Sequence, residues 1–368
     1  MGYKVPFVDF PKQYRTYKEE IIAAIEEVLS KGDLILREEV VQFEHNIANF
    51  LGLRYAVGVN SCTDAMYLSL LAVGIKPGDE VITVAHTFLA TIADIVHCGA
   101  IPVLVDVGDD YNMNVDLVEE VVTSRTKAIL PVHLNGRVCD MGKLMKIASK
   151  HNLLIIEDAA QALGATFDGK KAGSFGVTGC FSFYPAKSLG AAGDAGIVVT
   201  NSEEIADQIR LYRDHGRQAK DDFVLYGFNS RLDNLQAAIL NVKFKYLPSW
   251  IERRREVASM YHQGLSDLSY LRLPPPESDG HYFDTFQNYV IRAQDRDKLA
   301  AYLAESGVET LISWPKPMHH QKALNLSHFR LPVTEQLSGE VLSLPMNTEL
   351  TNEQVEFVIE SVRKFYTR

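Results

Sequence analysis

Apolar positions recur with helical spacing over residues 14–31, where Ile21, Ile22, Ile25, Val28 and Leu29 share one stripe and Lys31-Gly32-Asp33 ends the run. A second helix is predicted over about Glu38 to Leu51. The apolar runs then shorten. Tyr55 to Val59 reads as a strand that stops at Asn60-Ser61-Cys62-Thr63-Asp64, and helical spacing resumes from Asp64 to Ala72. Another strand, Glu80 to Val84, leads through the turn Ala85-His86-Thr87-Phe88 into a helix ending at about His97. Apolar runs at Pro102 to Val105, Ala128 to Val132, Leu153 to Ile156 and Gly196 to Thr200 continue the alternation. Strands alternating with helices predict an α/β protein with a mostly parallel central sheet covered by helices on both faces.

The later part of the chain has a different character. Leu211 to Ser230 is polar and glycine-bearing, which reads as a long functional loop. Asp233 opens a helix that breaks near Pro248, and another runs from Trp250 to about Leu265. Arg253-Arg254-Arg255 lies on that helix and is expected on a solvated face. A proline cluster at Pro274 to Pro276, a strand near Tyr289 to Arg292 and helices over Arg296 to Ser306 and Asn352 to Tyr366 predict a smaller α+β domain. The expected division is therefore a large domain over 1–248 and a small one over 249–368.

With 46% hydrophobic residues in 368, the chain can bury a large core. A formal charge of −10 argues against nucleic acid or an anionic membrane as partner, since both select basic faces. Cys62, Cys98, Cys139 and Cys180 are far apart and form no C-x-x-C pair, which fits reduced thiols. There is neither a leader-like N-terminus nor an apolar run of membrane-spanning length, so a cytoplasmic protein is expected.

Candidate chemistry gathers around Leu153 to Ile156, which closes on Glu157 and Asp158. A buried strand of this kind delivers a carboxylate at its carboxyl end, where open α/β sheets bind ligands. Lys187 follows in the stretch SFYPAKSLGAAGDAG from Ser182 to Gly196. An amine and a carboxylate facing one crevice is the layout a pyridoxal 5'-phosphate (PLP) enzyme needs. Lys187 would bind the cofactor covalently and then move a proton, whereas a solvated loop lysine is the plainer alternative. Asp158 would face the pyridinium nitrogen or simply cap a helix. Gln161 would bond the cofactor's 3-hydroxyl or stay on the surface. Thr63 and Ser182, with the helix start beside Cys62, would hold a phosphate or serve as ordinary turn residues. Phe88 would stack on the ring or belong to the core. His319-His320 suggests no metal site, because no carboxylate at ligand spacing accompanies the pair.

With these residues in hand the chain resembles the DegT/StrS-type sugar aminotransferases, PLP enzymes of fold type I. The resemblance spans nearly the whole length and rests on ordered motifs: VPFVDF, SCTDAM, AHTFLAT, PVHLNGR, EDAAQALGA, FSFYPAKSLGAAGDAG and GFNSRLDNLQAAIL. It implies PLP as cofactor with pyridoxamine 5'-phosphate (PMP) as its intermediate form, and Lys187 as the Schiff-base lysine. Asp158, Gln161, Phe88, Ser182, Thr63 and Cys62 would contact the cofactor, and Tyr184, Trp314 and His319 the substrate. The resemblance also implies a homodimer in which Asn229 reaches the other subunit's cofactor. The implied reaction converts a nucleotide-diphosphate-linked ketosugar of 3-keto-6-deoxyhexose type to the aminosugar, with L-glutamate as donor. Amination at carbon four, or a PLP-binding regulatory protein without turnover, are the alternatives. Cys62 stands where the family commonly has glycine, and Ser188 where it commonly has asparagine.

Overall fold

The computed structural model describes residues 2–276 and 280–367. Seven strands form its central sheet: β1 (Tyr55–Val59), β2 (Glu80–Val84), β3 (Ile101–Val105), β4 (Thr126–Ile129), β5 (Leu154–Asp158), β6 (Thr178–Ser182) and β7 (Gly196–Thr200), in the order β1-β7-β6-β5-β4-β2-β3. β7 runs antiparallel to both of its neighbours, and the other pairings are parallel. The expected mostly parallel sheet is therefore present.

Alternate side chains along most of these strands enter two separate cores, as a period of two requires. Ile82, Ile155, Phe181 and Ile197 join the cluster on one face, and Val81, Ile156, Cys180 and Val198 the cluster on the other. Helices α2 (Glu38–Leu51), α5 (Met141–His151) and α7 (Asn234–Phe244) close the first cluster. Helices α3 (Cys62–Ala72), α4 (Leu89–His97) and α6 (Glu203–Arg213) close the second. α1 (Phe10–Lys31) precedes them, capped by the Asp9 carboxylate and ended by Gly32 at φ 72°.

β6 has no counterpart in the apolar pattern because Thr178, Gly179 and Ser182 interrupt its run. Its place depends on close backbone approach: a Cβ on Gly179 would lie 2.3 Å from the Gly173 carbonyl oxygen. The stretch 211–230 is more ordered than a loop, since α6 runs into it and Arg217–Ala219 pairs with Asp222–Phe223 as a short hairpin.

A second, antiparallel sheet of β8 (Leu271–Arg272), β9 (Tyr289–Ala293) and β10 (Val341–Leu344) packs with α9 (Arg296–Glu305) and α11 (Asn352–Tyr366) around Tyr261, Ile291, Leu299, Leu342 and Val358. Val5 joins this cluster too, exchanging backbone hydrogen bonds with Gly307 and Glu309. The division expected after residue 248 falls in the first turn of α8 (Leu247–Leu265). Leu247, Trp250 and Ile251 of that helix pack on the large core, and Val257, Tyr261 and Leu265 on the small one.

The arginine run on α8 is not the solvated face expected of it. Arg254 is buried, and its Nη1 donates to the carbonyls of Phe286, Gln287 and Met346. Arg255 donates to the Asp284 carbonyl and lies over the Phe283 ring, while Arg253 donates to Leu350 O and Asn352 Oδ1. Carbonyls in irregular backbone have no strand partner, and the guanidinium groups supply the missing donors. Among the described residues no helix is long and apolar enough to cross a membrane.

One buried carboxyl makes stability depend on pH. Asp94 on α4 is 1% exposed, neither of its oxygens is hydrogen-bonded, and the His97 Nδ1 stands 3.7 Å away. Burial, with added repulsion from Asp64 and Asp158, pushes its carboxyl from 3.8 up to about 8. A raised acid contributes stability that is complete below the unfolded value and is lost as pH climbs toward the folded one. Asp94→Asn should therefore raise the melting temperature more at pH 8 than at pH 5. An equal change at both pH values would show that this carboxyl ionises normally.

Candidate active site

Strand alternation separates the two acids that end β5. Glu157 turns to one side, where it accepts N–H bonds from Gly173, Phe175 and Gly176 at 2.6–2.7 Å and faces His133 Nε2 at 2.8 Å. His133 Nδ1 accepts the Cys139 N–H, so the ring proton sits on Nε2 and points at Glu157. This acid is fully used by the fold. Asp158 turns to the other side and lines a cavity of about 600 Å³, a size typical of small-ligand sites.

Lys187, on the turn after β6, lines the same cavity. Burial lowers its ammonium below the ordinary lysine value, and burial raises the Asp158 carboxyl above the ordinary aspartate value. The hydroxyl of Thr91 donates to Asp158 Oδ2 at 2.8 Å and the Ala160 N–H to Oδ1 at 3.2 Å, which fixes the carboxylate's orientation. An acid held at the floor of a cavity by neutral donors is suited to a cationic ligand atom.

A helix start lines the same cavity. Ser61 caps α3 by accepting the Asp64 N–H, and the first intrahelical bond runs from Ala65 N to Ser61 O. The N–H groups of Cys62 and Thr63 precede that bond and have no intrahelical partner, an arrangement suited to an anion, beside the Thr63 hydroxyl. Burial pushes the Cys62 thiol up, so it stays neutral and offers its backbone rather than a thiolate. Ser182 Oγ accepts the Tyr184 N–H at 3.3 Å, leaving its own hydrogen to donate. The Oε1 of Gln161 accepts the Asn135 N–H at 2.8 Å, which leaves its amide nitrogen as a donor. Phe88, at the start of α4, is exposed at the mouth. Trp314 also lines the mouth, in the left-handed region at φ 52°, with its indole edge-on to His86 at 5.3 Å.

All the residues expected at the site therefore meet at one cavity except Asn229 and His319. Asn229 is exposed and forms a bridge with Asp214 near the hairpin. His319 does not border the cavity. It is fully buried, with Nε2 3.3 Å from Glu335 Oε1, because the turn Met318–His320 packs inward against α10 (Pro332–Glu340). An acid does accompany the histidine pair: ligand atoms of His319, His320 and Glu335 lie within 4.8 Å of one another, brought together from distant positions. Thr91, Ser61, Asp194 and Leu311 belong to the lining without having been singled out from the sequence. Thr87 lies just before α4 and Thr91 in its first turn, and their hydroxyls are 2.8 Å apart.

The profile of the DegT/DnrJ/EryC1/StrS aminotransferase family matches residues 15–363. A Geobacillus stearothermophilus protein named pleiotropic regulatory protein is 43% identical over 98% of both chains. The dTDP-3-amino-3,6-dideoxy-alpha-D-galactopyranose transaminase of Aneurinibacillus thermoaerophilus is 42% identical over 98% of this chain and 99% of its own. The crystal structure of S. venezuelae DesV in complex with a ketimine intermediate superposes with a TM-score of 0.96, 39% identity and full coverage of both chains. Other solved neighbours hold PLP or PMP.

The wall of the cavity depends on Gly196, which opposes Val59 in the β1–β7 ladder. A Cβ there would stand 2.2 Å from the Ser61 carbonyl carbon and 2.6 Å from the Cys62 nitrogen. Gly196→Ala should cost about 3 kcal/mol of stability, the upper range for overpacking, read as a lower urea midpoint. An unchanged midpoint would show that the turn before α3 yields freely.

Proposed function

The chain belongs to the DegT/DnrJ/EryC1/StrS aminotransferase family, a family of PLP-dependent enzymes, and from that membership we propose which amine it transfers and to what. The acceptor is a nucleotide-diphosphate-linked ketosugar aminated at carbon three, of 3-keto-6-deoxyhexose type, and the donor is L-glutamate. Donor and sugar use the one cavity in turn. The observation that carries this reading is the pairing of Lys187 and Asp158 across a single cavity beside a helix start. Carbon three is favoured by the product named for the Aneurinibacillus relative.

When bound, PLP supplies an aldehyde that takes up amino groups and a ring that withdraws electrons from the carbon bearing them. The protein's own part follows from its residues. Lys187 Nζ, less basic than usual because it is buried, would remove the proton from the donor's α-carbon in the first half of the cycle and deliver a proton to the sugar carbon that receives the amine in the second. Asp158 would pair with the ring nitrogen and favour its protonated form. Gln161 would donate to the ring hydroxyl, and Phe88 would stack on the ring. The N–H groups of Cys62 and Thr63, with the hydroxyls of Thr63 and Ser182, would hold the phosphate. Tyr184 and Trp314 flank the mouth through which the sugar enters.

The assignment also includes a second copy of the chain, with Asn229 of each subunit reaching the other's cofactor. Its exposed position outside its own chain's cavity supports that role. A regulatory protein without turnover is suggested only by the name of the Geobacillus relative, and an intact lysine and acid in a shared cavity argue for turnover.

PLP-loaded protein should absorb in the visible range, lose that band with L-glutamate, and regain it with a 3-keto nucleotide sugar but not with a 4-keto one. Lys187→Ala should slow the loss by about 10²–10⁴-fold, the usual contribution of a general base. A native rate in this variant would remove Lys187 from the mechanism, and colour that persists in the wild type would favour the regulatory reading. Mixing Asn229→Ala with Lys187→Ala subunits should restore about a quarter of wild-type activity, because each mixed dimer rebuilds one site. No recovery in exchanged dimers would place Asn229 elsewhere.

A further inference from the structure

The turn that carries Lys187 is short of backbone partners. Phe183 N bonds Ala195 O, Ala191 N bonds Phe183 O, and Lys187 N closes a tight turn onto Tyr184 O. The carbonyl of Ala186 and the N–H of Ser188, on either side of the lysine, are satisfied by one side chain from far along the sequence. Gln287 Oε1 accepts the Ser188 N–H at 2.6 Å and the Ser188 hydroxyl at 2.9 Å, while its Nε2 donates to Ala186 O at 2.8 Å. The amide orientation is dictated by its partners, since a flipped head would set N–H against N–H and oxygen against oxygen.

Gln287 is itself firmly held. It is buried, and Arg254 Nη1 donates to its carbonyl and to that of Phe286. The Thr285 N–H bonds the Gly136 carbonyl, and a Cβ on Gly136 would stand 2.6 Å from the Phe286 nitrogen, so this segment lies directly on the 135–136 turn. Asn288 Nδ2 reaches Asn135 Oδ1 at 3.3 Å, and Asn135 N–H is the group that holds Gln161. The segment 284–288 therefore touches the supports of both Lys187 and Gln161.

We infer that Gln287 is a positioning residue for Lys187: its amide clamps both neighbours of the lysine and transmits the placement of the C-terminal part of the chain to the working amine. The inference rests on Lys187 being that amine. A glutamine is required because the clamp needs an acceptor and a donor on one planar head. Alanine supplies neither, and glutamate keeps the acceptor but sets an oxygen against the Ala186 carbonyl. An amine that must return to one place after each proton transfer loses rate steeply when its main chain drifts.

Two variants, Gln287→Ala and the isosteric Gln287→Glu, test this in three measurements. In cofactor-free protein, amide hydrogen exchange over residues 183–191 should quicken by about tenfold or more in both variants while other regions keep their protection. In PLP-loaded protein, loss of the visible band with L-glutamate should slow by about 10–100-fold at saturation, with the half-saturating glutamate concentration little changed. Glutamate deuterated at its α-carbon should show a larger isotope effect in the variants than in the wild type, because a misplaced base makes proton transfer the slow event. Native exchange over 183–191 in either variant, or slowing without a rise in the isotope effect, would overturn the inference. Should wild-type protein fail to react with glutamate at all, the donor assignment falls, while the exchange measurement still decides the clamp.

Discussion

The structure depends on keeping an acid and an amine desolvated in the same small space. Each group alone resists its charged form when buried: Asp158 is raised and Lys187 lowered for that reason. Burial is tolerable because neutral donors hold the acid in one orientation and because the two groups share a cavity with room for a charged ligand. The proton transfer proposed for Lys187 uses this state directly. A fully solvated lysine would be almost wholly protonated at neutral pH and unable to accept a proton.

The sheet makes that burial affordable. Parallel strands end on one side, so β5 delivers Asp158 there, and strand alternation sends Glu157 to the opposite face, where three N–H groups and His133 absorb it. β7 enters antiparallel beside β1, and only glycine at 196 lets it pass the Ser61-Cys62 turn closely enough for the start of α3 to share the cavity with the lysine turn. The start of α3 and the acid thus line one cavity because of backbone packing. No long-range charge pairing is needed to place them.

The C-terminal part of the chain reaches this arrangement through α8. Its arginines spend their donors on the carbonyls of the irregular segment before β9 and on the segment before α11. That use of cations differs from a solvated stripe, and it explains why a helix with a basic run is largely covered. By holding residues 284–288 in place, Arg254 and Arg255 tie the small sheet to both the lysine turn and the Asn135–Gln161 contact.

Much of this was legible in the order of residues. Period-two and helical patterns mark most of the strands and helices, and an apolar run closing on Asp158 with Lys187 downstream announces the chemistry, because local periodicity and strand-end acids are properties of short segments. β6 was hidden, since its glycine and hydroxyl residues carry no apolar signature and it forms by pairing between β5 and β7 and packing against Gly173. The sequence likewise could not show that His319 turns inward to Glu335, that Arg254 is buried, or that Gln287 brackets Lys187, because each depends on partners 16 to 101 residues away. What chemistry is available was set by which residues occur at strand ends and turns. Where each side chain points, and what holds it there, was decided by tertiary packing, since a hydrogen bond or a desolvated charge is defined by its neighbours in space.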